Sequence, residues 1–569
     1  MKKYFFLKII FKHAPLFSLL YLSLNVIFNF FTYLELVIMQ MLISTAVSGN
    51  YRVFVMLSIF LIFIYIIQNT KSAFLQIIED HIQISLSNAE YRKLYKAIEK
   101  MELTDLDDST HILEIEQAKQ AIENRIMESF LILSETIGIF ISLIAVGMGL
   151  FTIKPIFLAF FIIMAIFQKI YNFSNTKSRI KMETNTNPLL RVHKYFADIM
   201  YNKEMAKELK SYLLYDWIEE KRTKTYKCIQ SIQLKENKRW LHINSIVAIV
   251  MFLIEFIMYY NIVLYCNSGE ITLDQVVYII QSNTVFIGYF MLLLENYTNI
   301  SVNNLYHQSL AKIIQNGNEY SALANIPTTK ENCIELENVS FSYKNATEKA
   351  LKNINFSMKK GEKIALLGEN GCGKSTLVKI ITGLIKADHG IVKIDPKQSV
   401  VFQDYSRFKF TLNENIYIGD LKKKAEQDLV IMALVRAGGK KILEHMPFGI
   451  ETELSKEFND EGTDLSGGEW QKVAISRGLF KEAKVFILDE PTASLDPLAE
   501  VRQFNTLLSD VLGSRGVIIV SHRVSVARKV DRIVYMKNGR IVETGTYDEL
   551  IELKGEFYKF YHTQSKWYE

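Results

Sequence analysis

Residues 368–376 have the composition and spacing of a phosphate-binding loop. They read Gly-Glu-Asn-Gly-Cys-Gly-Lys-Ser-Thr and follow an apolar stretch, 363–367, that is typical of a buried strand. Glycines let backbone N–H groups surround phosphate oxygens, while a lysine and a hydroxyl at the end of such a loop bind phosphate and Mg²⁺. The residues expected to bind a nucleotide are Gly368, Asn370, Gly371, Cys372, Gly373, Lys374, Ser375 and Thr376.

Two further apolar stretches carry polar residues at their ends. The stretch 485–488 ends in Asp489 and Glu490, and the stretch 516–520 leads into Ser521 and His522. An acidic residue at the end of a strand in such a protein binds the metal ion, and a second can accept a proton from the attacking water. We therefore expect Asp489 and Ser375 to hold Mg²⁺, Glu490 to act as the general base, and His522 to lie on the γ-phosphate side.

The composition indicates that these stretches form only one part of a chain with two unlike halves. The 569 residues have a mean hydropathy of +0.10 although 22% of them are charged. A net charge of +5 is too small to indicate nucleic-acid binding, so no nucleic-acid partner is expected. Four cysteines without CxxC spacing exclude a disulfide scaffold and a zinc site, and 12% aromatic residues exclude disorder.

Six apolar runs before residue 296 predict transmembrane helices, although two of them are shorter than the roughly 20 residues of a full span. The runs cover residues 16–38, 53–67, 130–151, 155–167, 246–265 and 276–294. The loops after the second and fourth runs are long and rich in Lys and Arg. The loops after the first, third and fifth runs are short, and their only basic residues are Arg52 and Lys154. By the positive-inside rule, both termini and the long loops are cytoplasmic. Six buried core helices are the alternative, but no soluble domain needs so many such runs.

The rest of the chain supplies the domain boundaries. The mixed-charge segments 89–101 and 195–227 predict spans that continue into the cytoplasm, with small transverse helices near 103–110 and 211–216. The predicted organisation is a six-helix transmembrane domain at 1–310, a linker at 311–332 and an α/β P-loop NTPase domain at 333–569.

One further motif gives these residues a specific resemblance. Residues 465–471, Leu-Ser-Gly-Gly-Glu-Trp-Gln, resemble the signature motif of ABC ATPases. That resemblance assigns Gln403 to the Q-loop that contacts the metal and the reacting phosphate, Asp496 to the D-loop, His522 to the switch histidine and Tyr343 to the ring that stacks on adenine. A helical membrane domain of six spans fused to one such ATPase domain resembles the exporter-type half-transporters.

The resemblance implies an ATP hydrolase with ATP and Mg²⁺ as ligands, working as a dimer. In that family the signature residues, here Ser466, Gly467, Gly468 and Glu469, face the nucleotide of the other protomer. Because every catalytic position is occupied as in competent members, we expect a homodimer, with a heterodimer as the alternative. The expected location is the cytoplasmic membrane of a bacterium, with the ATPase domain on the cytoplasmic side and lipids as neighbours.

The transported substrate is less directly encoded. Glu35, Glu135 and Glu255 lie within the predicted spans, and they either form an acidic cavity for a cationic substrate or hydrogen-bond to neighbours such as Asn25. Residues 465–472 also resemble exporters of lantibiotics and related ribosomally made peptides. We therefore expect peptide export, with multidrug or lipid export as the alternative.

Other classes of function are disfavoured by the same residues. A first span near residue 16 predicts no N-terminal protease domain, and hence no cleavage of a leader peptide. The spans exclude a soluble regulatory ATPase, and intact Glu490 and His522 argue against an ATP-gated channel. Importers usually place spans and ATPase on separate chains, which makes an importer less favoured.

Overall fold

The computed structural model describes residues 5–202, 205–319, 332–344, 346–423, 426–490 and 515–565. The chain divides into two compact units. The helical unit comprises Met1–Glu99 and Ile112–Glu319, and the α/β unit comprises Lys100–His111 and Tyr320–Glu569. The α/β unit thus includes a short segment from the long loop after the second predicted span, which the sequence-based boundaries assigned to the transmembrane domain.

Long helices build the helical unit because its sequence has few prolines to interrupt them. Two of those prolines, Pro15 and Pro155, occupy the first residue of a helix, where the missing N–H costs nothing. The helices are α1 (Phe5–His13), α2 (Pro15–Val47), α3 (Tyr51–Glu99), α5 (Ser109–Gln120), α6 (Ile126–Ile153), α7 (Pro155–Tyr201), α8 (Ala206–Ser211), α9 (Tyr215–Asn267) and α10 (Leu273–Glu319), while α4 (Leu103–Leu106) belongs to the α/β unit. A π-helical turn, Ala121–Arg125, joins α5 to α6.

Five of the six predicted spans lie in helices that are long and apolar enough to cross a membrane. The exception is the fourth, where the apolar part, Pro155–Lys169, is short although α7 itself continues to Tyr201. Helices α3, α7 and α9 run beyond their apolar parts without a break, as predicted. Of the two predicted short helices, α4 lies in place and α8 lies one turn earlier than expected.

Close packing inside the helical unit depends on small and polar residues. Asn25 Nδ2 donates to Ser134 Oγ at 3.0 Å, and Ser142 Oγ donates to the Asn29 carbonyl at 2.8 Å, which joins α2 to α6. A Cβ at Gly138 would lie 2.4 Å from the Asn29 side chain, so only glycine permits this approach. Interhelical hydrogen bonds and small residues replace the hydrophobic driving force that is lost in lipid.

Two sheets form the α/β unit. The strands are β1 (Asn332–Phe341), β2 (Leu351–Lys359), β3 (Lys363–Gly368), β4 (His389–Ile394), β5 (Gln398–Val401), β6 (Val485–Asp489), β7 (Gly516–Ser521), β8 (Arg532–Lys537) and β9 (Arg540–Gly545). An antiparallel sheet has the order β2-β1-β4, and a six-stranded sheet has the order β5-β6-β7-β3-β8-β9. All pairs of the larger sheet are parallel except β8–β9. Its central strands β6 and β7 are buried along their whole length, as expected for a parallel sheet covered on both faces.

The helices of the α/β unit contribute to three apolar cores. Besides α4 they are α11 (Lys374–Ile381), α12 (Leu412–Tyr417), α13 (Gln427–Arg436), α14 (Lys440–Glu444), α15 (Gly467–Phe480), α16 (Tyr547–Leu553) and α17 (Glu556–Ser565). Helix α11 contributes to a core with β1, β2 and β3, and α12, α13 and α15 pack around Trp470 and Val473. The other side of α15 packs with α16, α17 and the strands β3, β6 and β7 in the third core.

Candidate functional site

Four adjacent parallel strands carry the predicted catalytic residues at one edge of the sheet. Asp489 lies opposite Val520, Leu367 opposite Ser521, and Val401 opposite Leu488. The carboxyl ends of β5, β6, β7 and β3 therefore lie level with one another. In open α/β sheets this edge is where ligands bind.

The loop after β3 has a backbone that glycine alone accommodates. Gly373 has a φ of 106°, and a Cβ on Gly368 would lie 2.4 Å from the Met536 carbonyl oxygen. The Lys374 ammonium is almost fully buried and donates to the carbonyls of Gly368 and Glu369 at 2.8 and 2.9 Å. Helix α11 begins at this lysine, so its positive end faces the loop, as phosphate binding requires.

The other predicted loop residues surround this lysine. Asn370, Gly371 and Ser375 are exposed, whereas Cys372 and Thr376 are buried. The Tyr343 hydroxyl lies 3.2 Å from Thr376 Oγ1, and the tyrosine ring packs edge-on against Phe341. The structure thus places the predicted adenine-stacking ring beside the first turn of α11.

The acidic pair at the end of β6 shows two different environments. One Asp489 side-chain oxygen, Oδ1, is buried and has no hydrogen-bond partner among the described residues. Burial, together with the neighbouring Glu490 carboxylate, raises the pKa of Asp489 to about 6. A buried carboxylate oxygen without a donor is costly, so this position fits a cation or water ligand.

Glu490 is held by its backbone and by the histidine. It has a φ of 46°, which is uncommon outside glycine, and its N–H donates to the Val520 carbonyl at 3.0 Å. Its Oε1 lies 3.0 Å from Nδ1 of His522. Such strain is characteristic of functional positions. The structure therefore brings the predicted base and the predicted switch histidine into direct contact.

Two motif residues remain less defined. Gln403 lies exposed, two residues beyond β5, at the same edge of the sheet. The predicted D-loop residue Asp496 lies outside the described residues.

The signature residues occupy the start of α15. Ser466 and Glu469 form a reciprocal capping box, in which the serine N–H donates to Glu469 Oε2 at 2.9 Å. These bonds lower the pKa of Glu469. Gly467 is exposed and Gly468 half-buried, and the Gly467 carbonyl accepts a hydrogen bond from the Tyr405 hydroxyl at 2.9 Å. The motif thus offers an exposed helix N-terminus that is tied to the segment after Gln403.

Comparison with known proteins supports this organisation. Residues 351–493 match the ABC transporter family model. A solved bacterial Atm1-family ABC exporter with ATP bound superposes with a TM-score of 0.76 and 19% identity, covering 96% of this chain and 98% of that one. This chain has the fold of an ABC exporter, a helical unit joined to an ATPase unit in one polypeptide. The predicted fold class, a helical membrane domain fused to an ABC ATPase domain, is confirmed.

The chain also resembles named bacterial proteins. It is 26% identical to the nisin transport ATP-binding protein NisT of Lactococcus lactis over 588 aligned positions, covering 98% of this chain and 95% of that protein. It is 32% identical to the subtilin transport ATP-binding protein SpaT of Bacillus subtilis over 377 residues, which covers only 60% of SpaT. It is 36% identical to the lipid A-core flippase of Methylobacillus flagellatus over 247 residues, or 41% of either protein.

The acidic residues of the predicted spans do not share one site. Glu255 lines a cavity between α7, α9 and α10, whereas Glu35 and Glu135 do not line it. The acid that accompanies Glu255 in the cavity is Glu295, at the end of the sixth predicted span.

The structure adds residues to the candidate nucleotide site that the motifs did not indicate. The Gln564 side chain donates to the His522 carbonyl at 2.6 Å and accepts from the Val524 N–H at 3.2 Å. It therefore clamps the backbone on both sides of the loop that carries the switch histidine.

A second addition concerns α4. The Lys344 ammonium, next to Tyr343, donates to the nearly buried Asp105 of α4 at 2.7 Å, and Glu102 pairs with Lys386 at 3.4 Å. The Leu103 N–H donates to the Leu384 carbonyl at 3.3 Å. Neither Asp105 nor Gln564 could be found from spacing, because each is distant in sequence from the residue it binds.

Proposed function

We propose that this half-transporter uses ATP hydrolysis to export a ribosomally made peptide across the cytoplasmic membrane. The observation that carries the proposal is the similarity to the nisin transporter, which extends over 98% of the chain and therefore includes the helical unit. The similarity to the lipid A-core flippase covers 41% of the chain. Lipid or multidrug export is the second candidate, and on the lipid side it is supported by the similarity to lipid A-core flippases.

The residues at the sheet edge fit ATP and Mg²⁺. Lys374 and the N-terminus of α11 supply positive charge for the β- and γ-phosphates, while Ser375, Gln403 and Asp489 are the oxygen donors for the metal. Bound Mg²⁺ supplies neutralisation of the phosphate charge that develops during cleavage. Tyr343 provides the ring on which adenine stacks.

Glu490, His522 and Gln564 have separate roles in ATP hydrolysis. Glu490 accepts a proton from the attacking water, and its contact with His522 Nδ1 fixes the carboxylate orientation. Gln564 holds the histidine backbone in place. Hydrolysis ends the closed state that ATP binding produces.

The placement of the signature residues supports a dimer. Cys372 of the phosphate loop is buried in the core of β1, β2, β3 and α11. The signature residues instead lie at the exposed start of α15, a helix that packs against the larger sheet as well as against α12 and α13. The exposed Ser466 and Gly467 are thus placed to bind a nucleotide on a second chain. We propose a homodimer with two complete ATP sites, with both termini and the α/β unit on the cytoplasmic side.

Reconstitution tests the proposal directly. The purified chain is placed in proteoliposomes with its α/β unit outside, and uptake of a dye-labelled peptide, flipping of a fluorescent lipid and uptake of a cationic dye are each measured with ATP. Peptide uptake by a dimer supports the proposal. Lipid flipping without peptide uptake would replace it with the flippase function, and a monomer without ATPase activity in lipid would refute the homodimer.

A further inference from the structure

One cavity of the helical unit combines carboxylates, amides and an apolar wall. It has a volume of about 560 Å³ and lies between α7, α9 and α10, in the half of the spans that leads to the predicted cytoplasmic loops. Pockets of about 300–1,000 Å³ hold compact ligands, so this cavity holds one or two amino-acid residues rather than a whole peptide. We call it the α7–α9–α10 cavity.

The charges that line the cavity are predominantly negative. Glu255 is half-buried, and its Oε1 accepts a hydrogen bond from Asn283 Nδ2 at 3.3 Å. Glu295 is exposed, and no cation among the described residues forms an ion pair with either carboxylate. Arg179 also lines the cavity, but its guanidinium faces Glu183 at 3.9 Å. An uncompensated carboxylate at membrane depth is costly, so the site favours a cationic ligand.

A buried amide gives an independent indication of a ligand. Gln168 lines the cavity with 3% of its surface exposed, and its Nε2 has no hydrogen-bond partner among the described residues. A buried N–H donor without an acceptor is destabilising when neither water nor a ligand pairs with it. The acceptor that matches this donor beside a cation site is a carbonyl oxygen.

The remaining wall is apolar. Met251, Phe252, Ile287, Met291 and Leu294 line it. Such a surface suits the aliphatic part of a lysine or arginine side chain, whose charged end reaches the polar groups.

We propose that the α7–α9–α10 cavity binds a lysine or arginine side chain of the transported peptide together with an adjacent peptide carbonyl. Glu255 and Glu295 receive the cation, Gln168 donates to the carbonyl, and the apolar wall covers the stem. This inference rests on the proposed peptide export. It disfavours a phosphorylated lipid headgroup at this position, because such a group would bring negative charge to two carboxylates.

A pair of matched peptides tests the charge. The probes are a dye-labelled hexapeptide of alternating leucine and lysine, with blocked ends, and its twin with acetylated lysines. Binding to full-length protein in nanodiscs is measured by fluorescence anisotropy without nucleotide, and stimulation of ATPase activity is measured with ATP. The wild type is expected to bind the lysine peptide about tenfold more tightly than its twin.

Variants then assign the preference to the cavity. The double variant Glu255→Gln with Glu295→Gln should abolish the preference for the lysine peptide. Gln168→Leu should weaken the binding of both peptides by a similar factor. Because Glu295 is exposed, Glu295→Lys tests the charge without a buried change and should reverse the preference. Glu35→Gln, an intramembrane acid outside the cavity, should leave the preference intact.

The outcomes separate this inference from the proposed function. Equal affinity for the two peptides in the wild type, or a preference that survives Glu295→Lys and the double variant, would overturn the cavity assignment. If peptide uptake still occurs in proteoliposomes, the proposed function stands without it. If only lipid is moved, the proposed function fails, whichever peptide the cavity prefers.

Discussion

Two sites in this chain contain a pair of carboxylates, and they are built in opposite ways. At the ATP site Asp489 and Glu490 are consecutive residues at the end of β6, aligned by register with β7. In the α7–α9–α10 cavity Glu255 and Glu295 come from two different helices. Backbone hydrogen bonds position the first pair, whereas side-chain packing between helices positions the second.

This difference has consequences for what a substitution does. A catalytic group fixed by a strand acts at one defined atom, so its loss removes a step of the reaction. The cavity carboxylates act through summed electrostatic attraction, so the loss of one weakens binding by degrees. We therefore expect nearly all-or-none effects at the sheet edge and graded effects in the cavity.

The largest expected effect is at Glu490. Glu490→Gln keeps the size of the side chain but removes the proton acceptor, so the ATPase rate should fall by about 10²–10⁴-fold. ATP affinity should be retained because the phosphate loop is unchanged. Measurement of ATP turnover and of nucleotide binding checks both expectations.

A surface carboxylate provides the control for that experiment. Glu348, whose side chain is 82% exposed and pairs with Lys352, should tolerate the same change to glutamine without loss of rate. Near wild-type ATP turnover in Glu490→Gln would contradict the expectation that a substitution at the sheet edge nearly abolishes activity.

The ATP site could be predicted from sequence because its chemistry lies in short segments. The strand, the glycine loop and the following helix are contiguous, so the spacing of 368–376 defines the geometry around Lys374. The ends of β5, β6 and β7 are each marked by a polar residue after an apolar run. Only their convergence at one edge required the structure.

The partners of these residues could not be predicted, because tertiary packing brings them together. Gln564 lies on α17, the last helix of the unit in sequence, yet it contacts the loop that carries His522. Asp105 lies on α4, in the segment between two spans, yet it pairs with Lys344. The intramembrane acids show the same limit. Their presence in the spans was visible, but only the structure shows that Glu255 lines the cavity and that Glu35 and Glu135 do not.

Substitution of Gln564, which binds the backbone on both sides of the His522 loop, should lower the rate of ATP hydrolysis less than substitution of Glu490 does. Gln564→Leu removes two hydrogen bonds worth about 1 kcal/mol each, so kcat for ATP hydrolysis should fall by roughly tenfold while KM for ATP stays constant. Gln564→Glu keeps the acceptor for Val524 but places a carboxylate oxygen against the His522 carbonyl, so its loss of kcat should be at least as large.

Steady-state kinetics on these variants distinguishes positioning from general destabilisation. Thr563→Ala, on the same helix, should leave kcat unchanged, and the unfolding temperatures should show that every variant is fully folded at the assay temperature. A rise in KM at constant kcat would contradict the assignment of Gln564 to the catalytic loop.

The ion pair between Asp105 of α4 and Lys344 should affect KM for ATP rather than kcat. Asp105→Asn removes the charge that holds Lys344, the neighbour of Tyr343, whose ring we propose stacks on adenine. Because a partly exposed ion pair contributes up to about 1 kcal/mol, KM for ATP should rise by roughly threefold with kcat unchanged.

A double-mutant cycle with Lys344→Met isolates that ion pair. The two changes together should raise KM no more than either alone. Glu102→Gln breaks the neighbouring pair with Lys386 and should leave KM unaltered. Additive effects of the Asp105 and Lys344 changes would show that the pair does not position the tyrosine.

The smallest effect is expected at a motif residue that performs no chemistry. Cys372 lies buried in the phosphate loop, and Cys372→Ala should change ATP turnover by less than about twofold because the loop is held by glycines and Lys374. Modification by N-ethylmaleimide is different, because the added group would occupy the phosphate site. The wild type should therefore lose activity with this reagent, whereas Cys372→Ala should keep it.

Burial also sets the rate and pH dependence of that modification. It raises the pKa of the Cys372 thiol, so at neutral pH the reactive thiolate is scarcer than at an exposed cysteine, and inactivation should still accelerate as the pH rises from 7 to 9. The exposed Cys228 should react faster without loss of activity, and Cys228→Ala should not protect. Unchanged sensitivity in Cys372→Ala would mean that the reagent acts elsewhere. Inactivation by the reagent would then not depend on the phosphate loop.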